Sequence, residues 1–183
     1  MRRTTNGFDE EEDKGAPFSA SAEHLEAGRL RLRIHPDPVL RIKAAPVEEF
    51  DKNLHLLVKK MLKFMHVHDG IGLAAPQVGV SRRIIVVAIG SAPVALANPE
   101  ILHSSGQEAM VEGCLSLPGV RVNVLRKKSI TVKGVVSRGK EAKLSVSGLT
   151  ARVIQHEIDH LNGILISDYD PRSVVGRRQE KSS

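Results

Sequence analysis

The 183-residue chain holds a single cysteine, Cys114, which rules out an intramolecular disulfide framework and suits a reducing compartment. No apolar run is as long as a membrane span or a signal-peptide core, so a soluble, unsecreted, cytoplasmic protein is expected, with no membrane partner. Apolar residues are scarce over residues 1–29, which read as a mobile polar leader. Arg2 and Arg3 stand there, but Asp9-Glu10-Glu11-Glu12-Asp13 follows at once, and transit peptides are poor in acids. The leader has four basic and seven acidic side chains, a net of −3 against +6 for the whole chain, leaving +9 on the remainder. Solubility alone accounts for a basic body, and no affinity for DNA is expected from it.

What is present suffices for one domain with a real core. Leu54, Leu57, Val58, Met61, Leu62 and Met65 recur at helical spacing, predicting an amphipathic helix over 51–68 with lysines on its other side. Leu30, Leu32 and Ile34 alternate with arginines and predict a short strand. Further strands are predicted at 83–89, 94–97, 129–136 and 141–146, with Gly139 turning a hairpin between the last two. Leu149, Val153, Ile154, Ile158 and Leu161 make the apolar stripe of a second helix, which Gly163 is placed to end. These elements predict an α+β fold of mainly antiparallel sheets packed around that helix. The leader, a catalytic domain over 30–170 and a basic tail over 171–183 follow in order.

The second helix carries the most informative segment, His156-Glu157-Ile158-Asp159-His160. Residues four apart lie one above the other on a helix, so both imidazoles can reach one metal ion. Glu157 then projects beside that ion, where it could take a proton from bound water, which is hydrolase chemistry. The alternative is a core helix with two ordinary histidines, and a third ligand decides between them. In the extended pattern HExxHxxGxxH the glycine matches at Gly163, but the last position is Ile166, which cannot bind a metal. Glu180 lies downstream among Arg177, Arg178 and Lys181 near the chain end, a poor setting for a ligand. Cys114 remains, and a thiolate with two imidazoles makes a good borderline-to-soft site.

Three segments now carry a family resemblance. Gly70-Ile71-Gly72-Leu73-Ala74-Ala75-Pro76-Gln77, Glu112-Gly113-Cys114-Leu115-Ser116 and Gln155-His156-Glu157-Ile158-Asp159-His160-Leu161-Asn162-Gly163 resemble, in order and spacing, the motifs of peptide deformylase. Ile34-His35-Pro36-Asp37-Pro38-Val39-Leu40-Arg41 extends the likeness toward the start. The resemblance implies removal of the formyl group from the N-terminal formylmethionine of nascent polypeptides, releasing formate. It implies one divalent metal ion on Cys114, His156 and His160, Fe(II) in the working enzyme, with Zn, Ni or Co after isolation. It also implies that the Gln77 side chain and the Leu115 N–H receive the charge developing on the formyl oxygen. A deformylase meets its substrate at the ribosome, and the tail with Arg172, Arg177, Arg178 and Lys181 is a candidate contact for ribosomal RNA.

Gly70-Ile71-Gly72 also begins a loose dinucleotide-binding pattern, but a helix precedes it, Pro76 follows, and no acidic residue lies near position 95. A backbone edge that pairs with an extended peptide is the preferred reading of Gly70 and Gly72. Ile71, Met110, Val153 and Ile154 lie in or beside the motifs and are candidate walls of a methionine pocket, with Glu112 and Gly113 adjoining. Arg121 and Arg126 could bind peptide carbonyls, although such residues are commonly solvated. His66 and His68 read as surface residues. The rival functions are a protease using Glu180 as ligand and an idle module that keeps the metal as a structural element.

Overall fold

The computed structural model describes residues 30–89, 92–136 and 139–170. The expected leader and tail, with Glu180 and the tail arginines, lie outside the described residues. Strands β1 (Gly72–Ala74), β2 (Ile84–Ile89), β3 (Ala92–Ser105), β6 (Ser129–Val135) and β7 (Glu141–Ser147) form one sheet in the order β1-β2-β3-β6-β7. Every pairing in it is antiparallel. Strands β4 (Glu108–Cys114) and β5 (Leu117–Arg126) make a separate antiparallel hairpin. Two helices, α1 (Lys52–Val67) and α2 (Gly148–Leu161), complete the α+β architecture that the sequence pattern predicts.

The run Ile84-Ile85-Val86-Val87 is buried without interruption because β2 is covered on both faces. Ile84 and Val86 join Leu54, Leu57, Met61 and Met65 of α1, while Ile85 and Val87 join Ala151, Ile154 and Leu161 of α2. Burying each large aliphatic side chain stabilises the fold by about 1.5–3 kcal/mol. Helix α1 starts where the Asp51 carboxylate accepts the Leu54 N–H at 2.8 Å, and Lys52, Lys59 and Lys63 remain in water. Helix α2 ends at Gly163, whose φ is +74° and whose missing Cβ would stand 2.5 Å from the Arg41 carbonyl oxygen. A third cluster, Leu117, Val122 and Val124 with Leu40, Leu165 and Ile166, seats the hairpin.

Three predicted elements change. Residues 30–34 form no strand: the Arg33 N–H donates to the Gln77 carbonyl at 2.7 Å and the His35 N–H to the Ser116 carbonyl at 2.9 Å. A segment that bonds once to each of two elements has no continuous ladder. The strand expected at 94–97 belongs to the 14-residue β3, whose register shifts beyond Ala97 and again beyond Ile101 break the alternation. The hairpin β4–β5, absent from the predicted elements, is the third change, and it carries Cys114.

Candidate active site

The helical repeat stacks His156 and His160 on one side of α2 with ring centroids 5.0 Å apart. Cys114, the last residue of β4, brings its Sγ to 3.2 Å from His160 Nε2. The ligating atoms of Cys114, His156 and His160 all lie within 4.8 Å of one another. One thiol and two imidazoles fit a divalent borderline ion in a site with a vacant position.

Glu112, two residues before Cys114, orients the first imidazole. Its Oε2 accepts the His156 Nδ1–H at 2.9 Å, which leaves Nε2, on the Cys114 side of that ring, as the nitrogen to hold an ion. Arg126 approaches the same carboxylate with two N–H groups, at 2.6 and 2.9 Å, and Arg152 adds a third at 2.6 Å. Burial alone would raise the Glu112 carboxyl, but hydrogen bonds from His156 and Arg126 outweigh it and bring the group down to about 2. Arg126 continues to Asp159 at 2.8 Å, whose carboxylate also accepts the Tyr169 hydroxyl at 2.7 Å. Burial keeps His160 well below the usual histidine range, hence neutral and available as a ligand. His156 is drawn up to about 10 despite burial, through hydrogen bonds with Cys114 and Glu112 and the charge of Glu157. Surroundings that favour a proton there favour a cation.

Glu157 is 4% exposed, and its Oε2 has no hydrogen-bond partner among the described residues. Burial pushes its carboxyl up to about 7, further than the charges of His156 and Arg126 pull it down. A Cβ on Gly72 would lie 2.3 Å from Glu157 Oε1 and 2.6 Å from Val153 Cγ1, so the glycine at 72 makes room for that carboxylate. Gln77 is held from both ends. Its Oε1 accepts the Ala74 N–H at 2.8 Å, and its Nε2 donates to Ser116 Oγ at 3.2 Å and toward Cys114 Sγ at 3.6 Å.

A cavity of about 920 Å³ opens over these groups. Ile71, Met110 and Val153 line it with Gly70, Gly113 and Leu115. Glu112 also faces it, but its oxygens are engaged by Arg126, Arg152 and His156, so it positions His156 instead of meeting a substrate. Ile154 does not line the cavity as expected: it is fully buried against Ile85 and Leu96, on the side of α2 that faces the sheet. Leu149, expected in the core stripe, stands 56% exposed at the cavity wall. Arg126 is buried in the network, not solvated, whereas Arg121 borders the cavity. His66 and His68 are exposed. Sequence reasoning passed over Arg152, Asp159, Tyr169 and Ser116. For Arg152 a signal existed, a lone cation four residues before His156 and so on its side of the helix.

Such a fold, with a thiol and two imidazoles beside an unpaired buried carboxylate, defines a metal-dependent hydrolase built on an HExxH helix. The family profile described as Polypeptide deformylase matches residues 30–174. A curated peptide deformylase of Thermotoga maritima is 49% identical over 139 residues, 75% of this chain and 85% of the relative. The crystal structure of peptide deformylase from that organism superposes with a TM-score of 0.75 at 48% identity, covering 77% of this chain and 97% of the other. A Met-Ala-Ser-bound peptide deformylase from Acinetobacter baumannii gives 0.74 at 36% identity, covering 77% and 98%. The chain belongs to the polypeptide deformylase family, metal-dependent enzymes that remove the formyl group from N-formylmethionyl peptides. Among the described residues no helix is long and apolar enough to cross a membrane.

Proposed function

We propose that Cys114, His156 and His160 hold one divalent ion, Fe(II) in the working enzyme and Zn, Ni or Co when these are more available, and that Glu157 moves the protons of deformylation. The observation that carries this reading is the convergence of one sulfur and two rings beside the unpartnered Glu157 Oε2. An ion bound there supplies Lewis-acid polarisation and lowers the pKa of bound water. Glu157 Oε2 accepts a proton from the attacking water and delivers it to the amine nitrogen as the C–N bond breaks, leaving formate and a free amino terminus. Gln77 Nε2 and the Leu115 N–H donate to the formyl oxygen as it gains charge, and losing one such donor costs about 3 kcal/mol. Ile71, Met110 and Val153 take the methionine side chain, while Gly70 and the sheet edge at β1 receive the extended peptide backbone. The enzyme works in the cytoplasm on nascent chains, with the basic tail touching the ribosome.

Cys114→Ala tests the reading through anaerobic elemental analysis and hydrolysis of formyl-Met-Ala. Loss of both metal and activity is expected, with Glu180→Ala changing neither. Retention of both by the Cys114 variant would overturn it.

A further inference from the structure

Arg152 is the only lysine or arginine of α2, and it is 5% exposed. A buried cation needs partners, and this one spreads its fork over three. Nη1 donates to Glu112 Oε1 at 2.6 Å and to the Val124 carbonyl of β5 at 2.9 Å, and Nη2 donates to the Glu108 carbonyl of β4 at 2.5 Å. One helix side chain thus bonds both strands of the hairpin and the carboxylate between them.

The sulfur of the site comes from the hairpin and the two rings come from the helix, so their spacing is a distance between two packed elements. Gln155 and Asp159 also tie α2 to the hairpin, but they reach Lys127 just past β5 and Arg126 at its end. Arg152 reaches β4, the strand that terminates in Cys114, and its bond to Glu112 steadies the carboxylate that orients His156. On the footing of the metal-site reading above, we propose that Arg152 is a positioning residue: it sets the separation of β4 from α2 and thereby of Cys114 from the two histidines.

Arg152→Met keeps the apolar stem against the cavity and removes the fork; Arg152→Lys keeps the charge but offers a point donor in place of a planar one. Arg83→Met is the control, since Arg83 bonds the end of α2 at Asn162 Oδ1 (3.0 Å) without touching the hairpin. Each protein is loaded with Co(II) without oxygen, its fold checked by circular dichroism, its affinity measured by chelator competition, and its sulfur-to-cobalt absorption recorded. The parent and the Arg83 variant are expected to share one affinity and one spectrum. Arg152→Met is expected to bind about 10–100-fold more weakly with a displaced absorption band, at a KM within about threefold of the parent, and Arg152→Lys to recover only part of the loss. Parent affinity and spectrum in a folded Arg152→Met protein would overturn the assignment. Should that variant not fold, the same result in Arg152→Lys would overturn it. A parent lacking any sulfur-to-cobalt band would mean instead that the metal-site reading had failed, taking this inference with it.

Discussion

Helix α1 lays Leu54, Leu57, Met61 and Met65 on one face of the sheet and leaves Lys52, Lys59 and Lys63 in water, whereas α2 buries Arg152, Gln155, Glu157 and His160 beside its aliphatic residues. The helices are similar in length, and what separates them is their surroundings. Helix α1 is covered on one side only; α2 is enclosed between the sheet and the β4–β5 hairpin, so its second face must also be dry. Polar groups there carry a desolvation cost unless they are partnered. Arg152 finds Glu112 and two carbonyls, and Gln155 finds both backbone groups of Lys127. Glu157 Oε2 and His160 Nδ1 stay without a partner. Arg152 Nε is also unpartnered, but its guanidinium is held through both Nη atoms, whereas the Glu157 and His160 exceptions fall on the HExxH groups and point to chemistry.

The contrast can be broken most sharply at Glu157. Glu157→Ala is expected to lower kcat by about 10²–10⁴ while metal content and melting temperature hold, because the carboxyl serves the reaction and has no partner at Oε2 to abandon. Loss of metal on that substitution would make the residue structural. Met61→Ala on α1 should do the opposite, costing about 2–5 kcal/mol in chemical denaturation while the folded protein keeps its kcat, since Met61 is fully buried in the cluster under α1, which includes none of Cys114, His156, Glu157 and His160. Asp51→Ala, which removes the cap on the Leu54 N–H, should cost about 1 kcal/mol by the same measurement and leave metal affinity untouched.

The smallest effect is expected at an exposed ion pair that contrasts with the buried network. The Arg41 hydrogen bond holds the Asp168 carboxyl below the usual aspartate range, with burial opposing it. A depressed carboxyl contributes stability above its unfolded pKa and loses it as pH falls through the folded value. Asp168→Asn should therefore melt slightly lower than the parent at neutral pH, with the two curves converging in acid. A gap that widened in acid would contradict this sign.

Helix α1, the HExxH helix α2 and strands β2, β6 and β7 were legible because each repeats a local period over a single face or a continuous apolar run. The hairpin carried a comparable signal, Val120, Val122 and Val124 alternating with Arg121 and Asn123, but Glu112 and Arg126 buried on its inner side obscure the pairing. Alternation misled at Leu30, Leu32 and Ile34, where no neighbouring strand continues the ladder. At the site, the two histidines and Glu157 could be read from helix geometry, but Ile154 could not be told from a pocket residue. Its side of the helix is known only once the sheet is in place.

The chain's order of residues determined by itself that His156, His160 and Glu157 share a short helical segment, because a helix turn spans four residues and needs no distant partner. Tertiary structure alone decided that Glu112 and Asp159 meet Arg126 and Arg152 as a charge-balanced cluster, that Cys114 swings beside the rings, and that Gly72 yields space to Glu157. Those contacts join residues 14 or more positions apart, and whether a charge is buried with its counterpart or left in water is settled only when the elements pack.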